Sequence, residues 1–199
     1  MLWRAPAVAL LIVTVLASVL VLQAERATHE RRQQARHEEF RQALRAIPMP
    51  PYDNDPVRER IVLADAGSGT VQARSAFPAR RRGRPVGAFI MVSASGYGGE
   101  MSVLVGVSDN GAMTGMRVIA HRETRGFGDR VLSGSAPWLY PLRSRTVRDP
   151  VASGWRLRQE GGELDAVSGA TITSRALVNA ARYALQYFAD RRGEIFAVR

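Results

Sequence analysis

The chain opens with a long apolar run. From Ala5 to Leu22 there are 18 residues without a charge, rich in Leu, Val and Ala. Because about 20 apolar residues span a bilayer, the run predicts one transmembrane helix within residues 1–24. A cleaved signal peptide is the alternative, but cleavage near Ala24 would place the bulky Leu22 at the minus-three position. The sequence therefore favours a retained membrane anchor.

Charged residues follow the apolar run and predict a helical stalk over residues 25–50. Within it Phe40, Leu44 and Ile47 form one apolar stripe at helical spacing, which would dock on the domain or on a partner. Prolines at positions 48, 50 and 51 end the stalk. Several arginines lie just after the apolar run, and the positive-inside rule taken alone would place the domain in the cytoplasm.

Beyond the prolines, apolar positions recur with the period of strands. Asn110-Gly111 separates two alternating runs and is a strong hairpin signal. Trp155–Leu157 is a further strand candidate, and residues 138–142 are expected to form a short helix or a packed loop. The pattern predicts an antiparallel sheet with strands near residues 61–64, 86–92, 101–107 and 115–120.

A helical period replaces the strand period near the end of the chain. The spacing predicts one long helix from about Thr173 to Arg191. The whole pattern predicts an α+β fold: one N-terminal transmembrane helix, then a single domain over residues 51–199 with an antiparallel sheet and a C-terminal helix. The helix stripe is typical of core packing and consists of Leu177, Ala180, Ala181, Ala184, Leu185 and Phe188.

Composition narrows the classes of function. The formal net charge is +10, and all 28 basic residues are arginine. The arginines are scattered, and no groove-reading or base-stacking motif accompanies them, which argues against nucleic acid as a partner. The chain has no cysteine, which excludes disulfides, thiolate iron–sulfur ligation and a cysteine nucleophile.

A small, hydroxyl-rich loop, Ser168-Gly169-Ala170-Thr171, leads into the predicted helix. Glycine allows close approach, hydroxyls can cap, and the first N–H groups of a helix lack intrahelical partners. These features suit an anion such as a phosphate. An ordinary helix cap is the alternative, and the loop by itself does not decide between them.

Other constellations give weaker indications of chemistry. A hydrolase triad of Ser168, His121 and Asp129 lacks the Gly-x-Ser-x-Gly signature. No ligand set with metal spacing is present, so no metal site is predicted. Two glycine clusters, at residues 96–99 and 126–128, are turns or places where backbone approaches a ligand closely.

Three motifs in this order resemble those of a known family: Gly96-Tyr97-Gly98-Gly99, the stretch from His121 to Asp129, and Asp165 to Arg175. They look like the FMN-binding domain of the RnfG (RsxG) family, the G subunits of the Rnf ion-translocating electron transport complex. That domain is similar to the one in the C subunit of the sodium-pumping NADH:quinone reductase. The likeness covers nearly the whole chain, including the membrane helix.

The resemblance implies a cofactor and its attachment. It makes residues 51–199 an FMN-binding domain, with FMN joined covalently through its phosphate to Thr171 by a flavin transferase that uses FAD as donor. It implies that Asp165 belongs to the signal read by the transferase, and that the domain lies on the periplasmic side of the inner membrane. Other residues expected to shape the FMN site are Ser168, Gly169, Ala170, Thr173, Gly96, Tyr97, Gly98, Glu123, Thr124, Gly126 and Gly128.

The implied function is a membrane-anchored flavoprotein that relays electrons inside the ion-translocating complex, with no independent catalysis of its own. Its implied partners are the iron–sulfur and polytopic flavin subunits. Two alternatives stay open from the residues: an FMN-carrying subunit or sensor of another membrane redox assembly, and a membrane-tethered interaction domain without cofactor.

Overall fold

The computed structural model describes residues 13–14, 17–18, 20, 23, 37–63, 70–123, 137–148 and 152–197. It contains two units, Met1–Gln42 and Ala43–Arg199. Residues 37–46 are helical. Most of the predicted transmembrane helix lies outside the described residues, and none of the helices that are described is long and apolar enough to cross a bilayer.

An antiparallel sheet forms the centre of the second unit. Its five strands follow chain order across the sheet, so that each pairs with the next along the chain. This meander confirms the predicted antiparallel sheet. The strands are β1 (Ile61–Val62), β2 (Val71–Arg81), β3 (Arg84–Ser95), β4 (Glu100–Ser108) and β5 (Met113–Ala120).

The pattern of alternation predicted every strand except β2. Strand β2 is rich in Ala, Ser and Arg and contains Pro78, features that disfavour a strand prediction. The described part of β1 pairs with Ser75 and Ala76 and stops short of Pro78, so the missing N–H of the proline costs nothing there. Asn54 completes this edge, donating to the Pro78 carbonyl at 2.9 Å and accepting from Arg80 N at 2.8 Å.

The C-terminal helix, Thr171–Phe196, covers one face of the sheet. Its predicted stripe is fully buried, and it packs with the inward-facing residues of β3 and β4 in one core. The helix begins two residues before the predicted start and ends five after the predicted end, passing through a non-helical Arg191 (φ −116°, ψ 18°). The strand side of this core includes Ala88, Ile90, Val92, Val103, Val105 and Val107.

Residues 43–52 cover the opposite face of the sheet. Phe89 pairs across the strands with Gly106, which in turn pairs with Gly115. The two glycines leave room for Ile47, whose Cγ2 lies 2.6 Å from where a Cβ on Gly106 would be. Tyr52 meets the Phe89 ring edge-on at 6.1 Å. Leu44 and Ile47 of the predicted apolar stripe are both buried.

Short 3-10 helices connect β5 to the C-terminal helix. Pro137–Leu142 forms the short helix expected there. The strand predicted at Trp155–Leu157 is wrong: Trp155 ends a 3-10 helix, Ala152–Trp155, and Leu157 makes only an isolated bridge with Leu164. Gly162 lies so close to Arg156 that the loop turns back on itself, and this tight reversal leaves no room for an extended strand.

Candidate functional site

Three segments that are distant in sequence meet at one end of the sheet. They are the turn between β3 and β4 (residues 96–99), the segment after β5 (residues 121–123), and the start of the C-terminal helix. The backbone nitrogen of Tyr97 lies 3.5 Å from Thr173 Oγ1, and Gly96 and Gly98 lie directly against Arg122 and Glu123. The fold therefore brings parts of all three sequence motifs together.

The β3–β4 turn is closed by a hydrogen bond in which Gly96 N donates to Gly99 O at 2.8 Å. A Cβ on Gly98 would overlap the Arg122 carbonyl oxygen and lie 2.8 Å from Glu123 Cα, while a Cβ on Gly96 would overlap the Glu123 carboxylate. These glycines are thus needed for the chain's own segment 122–123 to pack. The sequence allows a turn or a close approach to a ligand at residues 96–99; the structure shows a turn there, and the chain itself fills the space next to the Gly96 and Gly98 Cα atoms.

Glu123 is the buried acid of this site. It is only 8 % exposed, its backbone nitrogen donates to His121 Nδ1 at 3.3 Å, and its Oε1 makes no hydrogen bond with any part of the chain that the structure describes. A buried carboxylate oxygen without a partner is unfavourable. This unpartnered oxygen lies directly beside the glycine turn.

The helix begins without a side-chain cap. Ala170 occupies the N-cap position, and no described side chain forms a capping hydrogen bond there, so the alternative of an ordinary hydroxyl cap is not observed. Gly169 has φ +81°, a left-handed conformation that favours glycine and turns the chain into the helix. Thr171 is consequently the first helical residue and lies beside the N–H groups that a helix start leaves unpaired.

The hydroxyls around Thr171 divide into structural and accessible groups. Ser174 is fully buried, and its Oγ accepts a hydrogen bond from Val167 N at 3.2 Å. Thr173 is also fully buried, beneath the glycine turn. Ser168 is exposed and Thr171 is half-buried. Of the threonines at this helix start, Thr171 is the one that an external group can reach.

Asp165 forms an ion pair that no sequence pattern predicts. Its Oδ1 accepts from Arg158 Nε at 2.7 Å, and its Oδ2 accepts from Arg158 Nη2 at 3.4 Å. The hydrogen bond and the charge of Arg158 lower the pKa of Asp165, and those of Asp165 raise the pKa of Arg158. Both side chains are largely exposed, so the pair is a surface feature that a partner can reach.

A second ion pair links the same loop to the helix. Arg175, the fifth residue of the helix, binds the Glu160 carboxylate. The loop also holds itself together through Arg158 N, which donates to Leu164 O at 2.7 Å. The loop that precedes Ser168 is therefore fixed against the helix start by its own backbone and by charge.

Several predicted site residues cannot be placed. Thr124, Gly126 and Gly128 lie outside the described residues. Of the others, the structure brings Gly96, Tyr97, Gly98, Glu123 and Thr173 into one neighbourhood, and it places Ser168, Gly169, Ala170 and Thr171 at the start of the same helix. The tyrosine ring stands out because it is 74 % exposed.

Comparison with known proteins gives the family. The model of an FMN-binding domain matches residues 96–186, which begin at the glycine turn and include Glu123 and Thr171. The G subunit of the ion-translocating oxidoreductase complex from Pseudomonas aeruginosa is 36 % identical over 159 residues, covering 79 % of this chain and 74 % of the relative. The chain belongs to the RnfG family. Relatives of the same name are 37 % identical in Cereibacter sphaeroides (76 % and 68 % covered) and 34 % identical in Vibrio cholerae serotype O1 (80 % and 78 %).

Proposed function

We propose that this chain is the FMN-carrying G subunit of an Rnf-type electron transport complex and that its FMN is esterified to Thr171. The observation that supports this best is the convergence at the helix start, where an accessible threonine, an uncapped helix terminus and a buried, unpartnered carboxylate meet near one glycine turn. The flavin would supply the electron-transfer chemistry, and this chain would hold it through Thr171, orient it and tune its reduction potential.

The helix start suits the phosphate of FMN. Thr171 is the first helical residue, so a phosphate on its Oγ1 lies near the N–H groups of the first turn and the positive end of the helix dipole. Because no described side chain caps the helix at Ala170, the first N–H groups of the helix have no side-chain acceptor. The family resemblance implies a flavin transferase with FAD as donor. The Thr171 hydroxyl would attack the FMN-side phosphorus of FAD, so that the pyrophosphate bond breaks and AMP leaves.

Glu123 and Tyr97 suit the rest of the cofactor. The unpartnered Glu123 Oε1 would accept a hydrogen bond from an N–H or O–H group of the flavin, which would relieve the cost of burying it. The exposed Tyr97 ring offers a flat surface on which an isoalloxazine can stack. Thr124, Gly126 and Gly128 come shortly after Glu123 in the chain, and we propose that they complete the pocket.

The negative charge of Asp165 would repel a phosphate at the helix start, and its ion-pair partner Arg158 reduces that repulsion. The bidentate contact with Arg158 neutralises the carboxylate, which reduces its repulsion of the phosphate. Since both side chains are largely exposed, a transferase can bind either of them. We propose that Asp165 is read by the transferase and that Arg158 holds it in position.

The family and the apolar run support a proposal for the location and the partners of the chain. We propose that residues 1–24 anchor the chain in the inner membrane, that residues 25–50 form a stalk whose last part, from residue 43, packs on the domain, and that the domain is periplasmic and passes electrons between iron–sulfur and polytopic flavin subunits. A reporter fused to the C-terminus tests the topology, since activity confined to the cytoplasm would contradict it.

The attachment site is tested by comparing Thr171→Val, Thr171→Ser and Thr173→Val, each co-expressed with the flavin transferase. Flavin fluorescence of the protein band on a denaturing gel reports a covalent bond. We expect no fluorescence from Thr171→Val, retained fluorescence from Thr171→Ser, and fluorescence from folded Thr173→Val, whose hydroxyl is buried. A fluorescent Thr171→Val band would disprove attachment at this residue.

A further inference from the structure

Arg175 closes the third sequence motif and has no role in the attachment proposed above. It is the fifth residue of the C-terminal helix, four residues after Thr171. Residues at this spacing are neighbours on the helix surface, with Cβ atoms about 5–6 Å apart. Long side chains on a helix also point back over the preceding turn. Helix geometry therefore puts the Arg175 side chain within reach of a group attached to the Thr171 hydroxyl.

Glu160 orients the Arg175 guanidinium without using all of its donors. Arg175 Nε and Nη2 both contact one carboxylate oxygen, Glu160 Oε1, at 2.5 Å. A guanidinium carries five N–H donors in a fixed plane, so these two contacts leave three for another acceptor. The Arg175 side chain is 45 % exposed, which makes those donors accessible from outside the chain. Arg175 is thus held in one direction and still able to bind a second anion.

The charges around the helix start favour an anion at Thr171. Acidic side chains are favourable in the first turn of a helix, yet the first turn of this helix contains none. The nearby carboxylate of Asp165 is paired with Arg158. A phosphate on Thr171 would therefore meet the positive end of the helix dipole and the free donors of Arg175, with no acid in the first turn to repel it.

We propose that Arg175 binds the phosphate of FMN and that Glu160 positions Arg175 for this contact. The inference rests on the proposed ester at Thr171, which is a phosphodiester with one negative charge. The free N–H groups of Arg175 donate to an oxygen of that phosphate, while the Nε edge stays on Glu160. A planar guanidinium can hold two acceptors on separate edges, which the point charge of a lysine cannot do. Arg175 makes the same contact with the FMN-side phosphate of FAD during attachment.

Arg175→Gln and Arg182→Gln, each in the full-length chain in detergent micelles with the transferase and FAD, test the proposal. Arg182 is an exposed arginine on the same stripe of the helix, about 10 Å further from Thr171. Arg175→Gln should slow the appearance of the fluorescent band about fivefold, the size expected for one exposed charged contact, and Arg182→Gln should not. The ³¹P resonance of the attached FMN should move in Arg175→Gln, move less in Glu160→Gln, and stay in place in Arg182→Gln.

Two results would overturn the role of Arg175. Equal rates and equal ³¹P resonances in Arg175→Gln and Arg182→Gln would show that Arg175 does not touch the phosphate. Slower attachment with an unmoved ³¹P resonance would show that Arg175 serves only the encounter with the transferase. Arg175→Lys keeps the charge and should attach flavin faster than Arg175→Gln, which separates loss of the contact from poor folding. A wild-type chain without a fluorescent band would contradict the proposed ester itself, whereas the two results above remove Arg175 alone.

Discussion

The two ends of the long helix that carries Thr171 differ in the side-chain partners that the protein supplies to them. At the C-terminal end, the Phe196 carbonyl accepts a hydrogen bond from Arg80 Nη2 at 3.1 Å, and the same guanidinium lies 5.5 Å from the centre of the Phe196 ring. Arg192 also binds Asp109 of the β4–β5 turn. At the N-terminal end, no described side chain caps Ala170, and the nearby β3–β4 turn packs against a carboxylate with an unpartnered oxygen.

Both ends of a helix require hydrogen-bond partners from outside it, because the first N–H groups and the last carbonyls have no partner within the helix. Where the protein supplies the partner, as Arg80 does, the contact is structural and should contribute to the stability of the fold. Where it supplies none, polar groups are left ready for something else to bind. We infer that the uncapped end of this helix is the functional one, so substitutions at the two ends should differ in whether they affect flavin loading or stability alone.

Gly98→Ala, at the functional end, should have a greater effect than any other substitution considered. The new methyl would overlap the Arg122 carbonyl and lie 2.8 Å from Glu123 Cα, and backbone atoms cannot move aside cheaply. We expect the free energy of unfolding to fall by about 2–3 kcal/mol, with loss of flavin loading. Urea denaturation and gel fluorescence measure the two quantities.

Gly83→Ala is the matched control at the other end of β3. Gly83 has φ +76°, and no heavy atom lies within 4 Å of the position that a Cβ would take. Its substitution should cost only the strain of a left-handed alanine, about 1–2 kcal/mol, and should leave flavin loading intact. Equal loss of loading in both variants would mean that loading follows stability alone, and the comparison between the two ends would fail.

Arg80→Met tests the structural end. The variant loses the hydrogen bond to Phe196 O and the ion pair with Glu59 at 3.2 Å, at a side chain that is only 14 % exposed. We expect a destabilisation of about 1–2 kcal/mol with unchanged flavin loading. Arg81→Met removes the same charge from an exposed residue and should be close to neutral. Loss of loading in folded Arg80→Met would show that the two ends are not separable.

Glu123→Gln tests whether the buried acid serves the flavin. Without flavin, as in Thr171→Val, the substitution replaces a carboxyl group that has one unpartnered buried oxygen by a neutral amide and should raise the free energy of unfolding by up to about 1 kcal/mol. With flavin attached, the gain should vanish or reverse, because the carboxylate then has a partner. Glu100→Gln, at an exposed ion pair with Arg74, should change neither form. A gain of the same size with and without flavin would remove Glu123 from the cofactor site.

Apolar runs and apolar periods predicted most of the sheet and the C-terminal helix. Strands β3 and β4 are apolar runs that are buried on both faces, and the helix stripe from Leu177 to Phe188 is continuous. Strand β2 was missed because its residues have low strand propensity and because the partner at its Pro78 edge, Asn54, comes from a loop. Such a partner leaves no periodic signal.

The sequence predicted the candidate site only as three separate motifs and did not predict the contacts between them. Nothing in the residues shows that Glu123 lies against Gly96, since that contact depends on how the strands between them register across the sheet. The Arg158–Asp165 and Arg80–Phe196 contacts were likewise missed, because a scattered arginine has no sequence feature that names its partner. The cofactor itself came from the family resemblance, which the comparisons confirm at the level of the FMN-binding domain.

The Asp165–Arg158 pair is near the N-terminal end of the helix, yet both of its side chains already have a partner within the protein. Arg158 lowers the pKa of Asp165, so the folded state binds this proton less readily than the unfolded state. The resulting stabilisation is present above the ordinary aspartate pKa, about 3.9, and is lost as the pH falls through the lowered value. Because exposed pairs contribute little to stability, this pair should matter more for position than for folding.

Arg158→Gln should accordingly have the mildest consequences. Near pH 7 we expect flavin attachment to the folded protein to be slower but still possible, with little change in thermal stability. Carboxyl ¹³C shifts followed against pH should show the Asp165 pKa returning toward its ordinary value. Arg143→Gln, at an exposed arginine that packs on Tyr140, should leave that pKa unchanged. An unaltered Asp165 titration in Arg158→Gln would show that the pair does not hold the carboxylate in solution, and slower attachment would then need another cause.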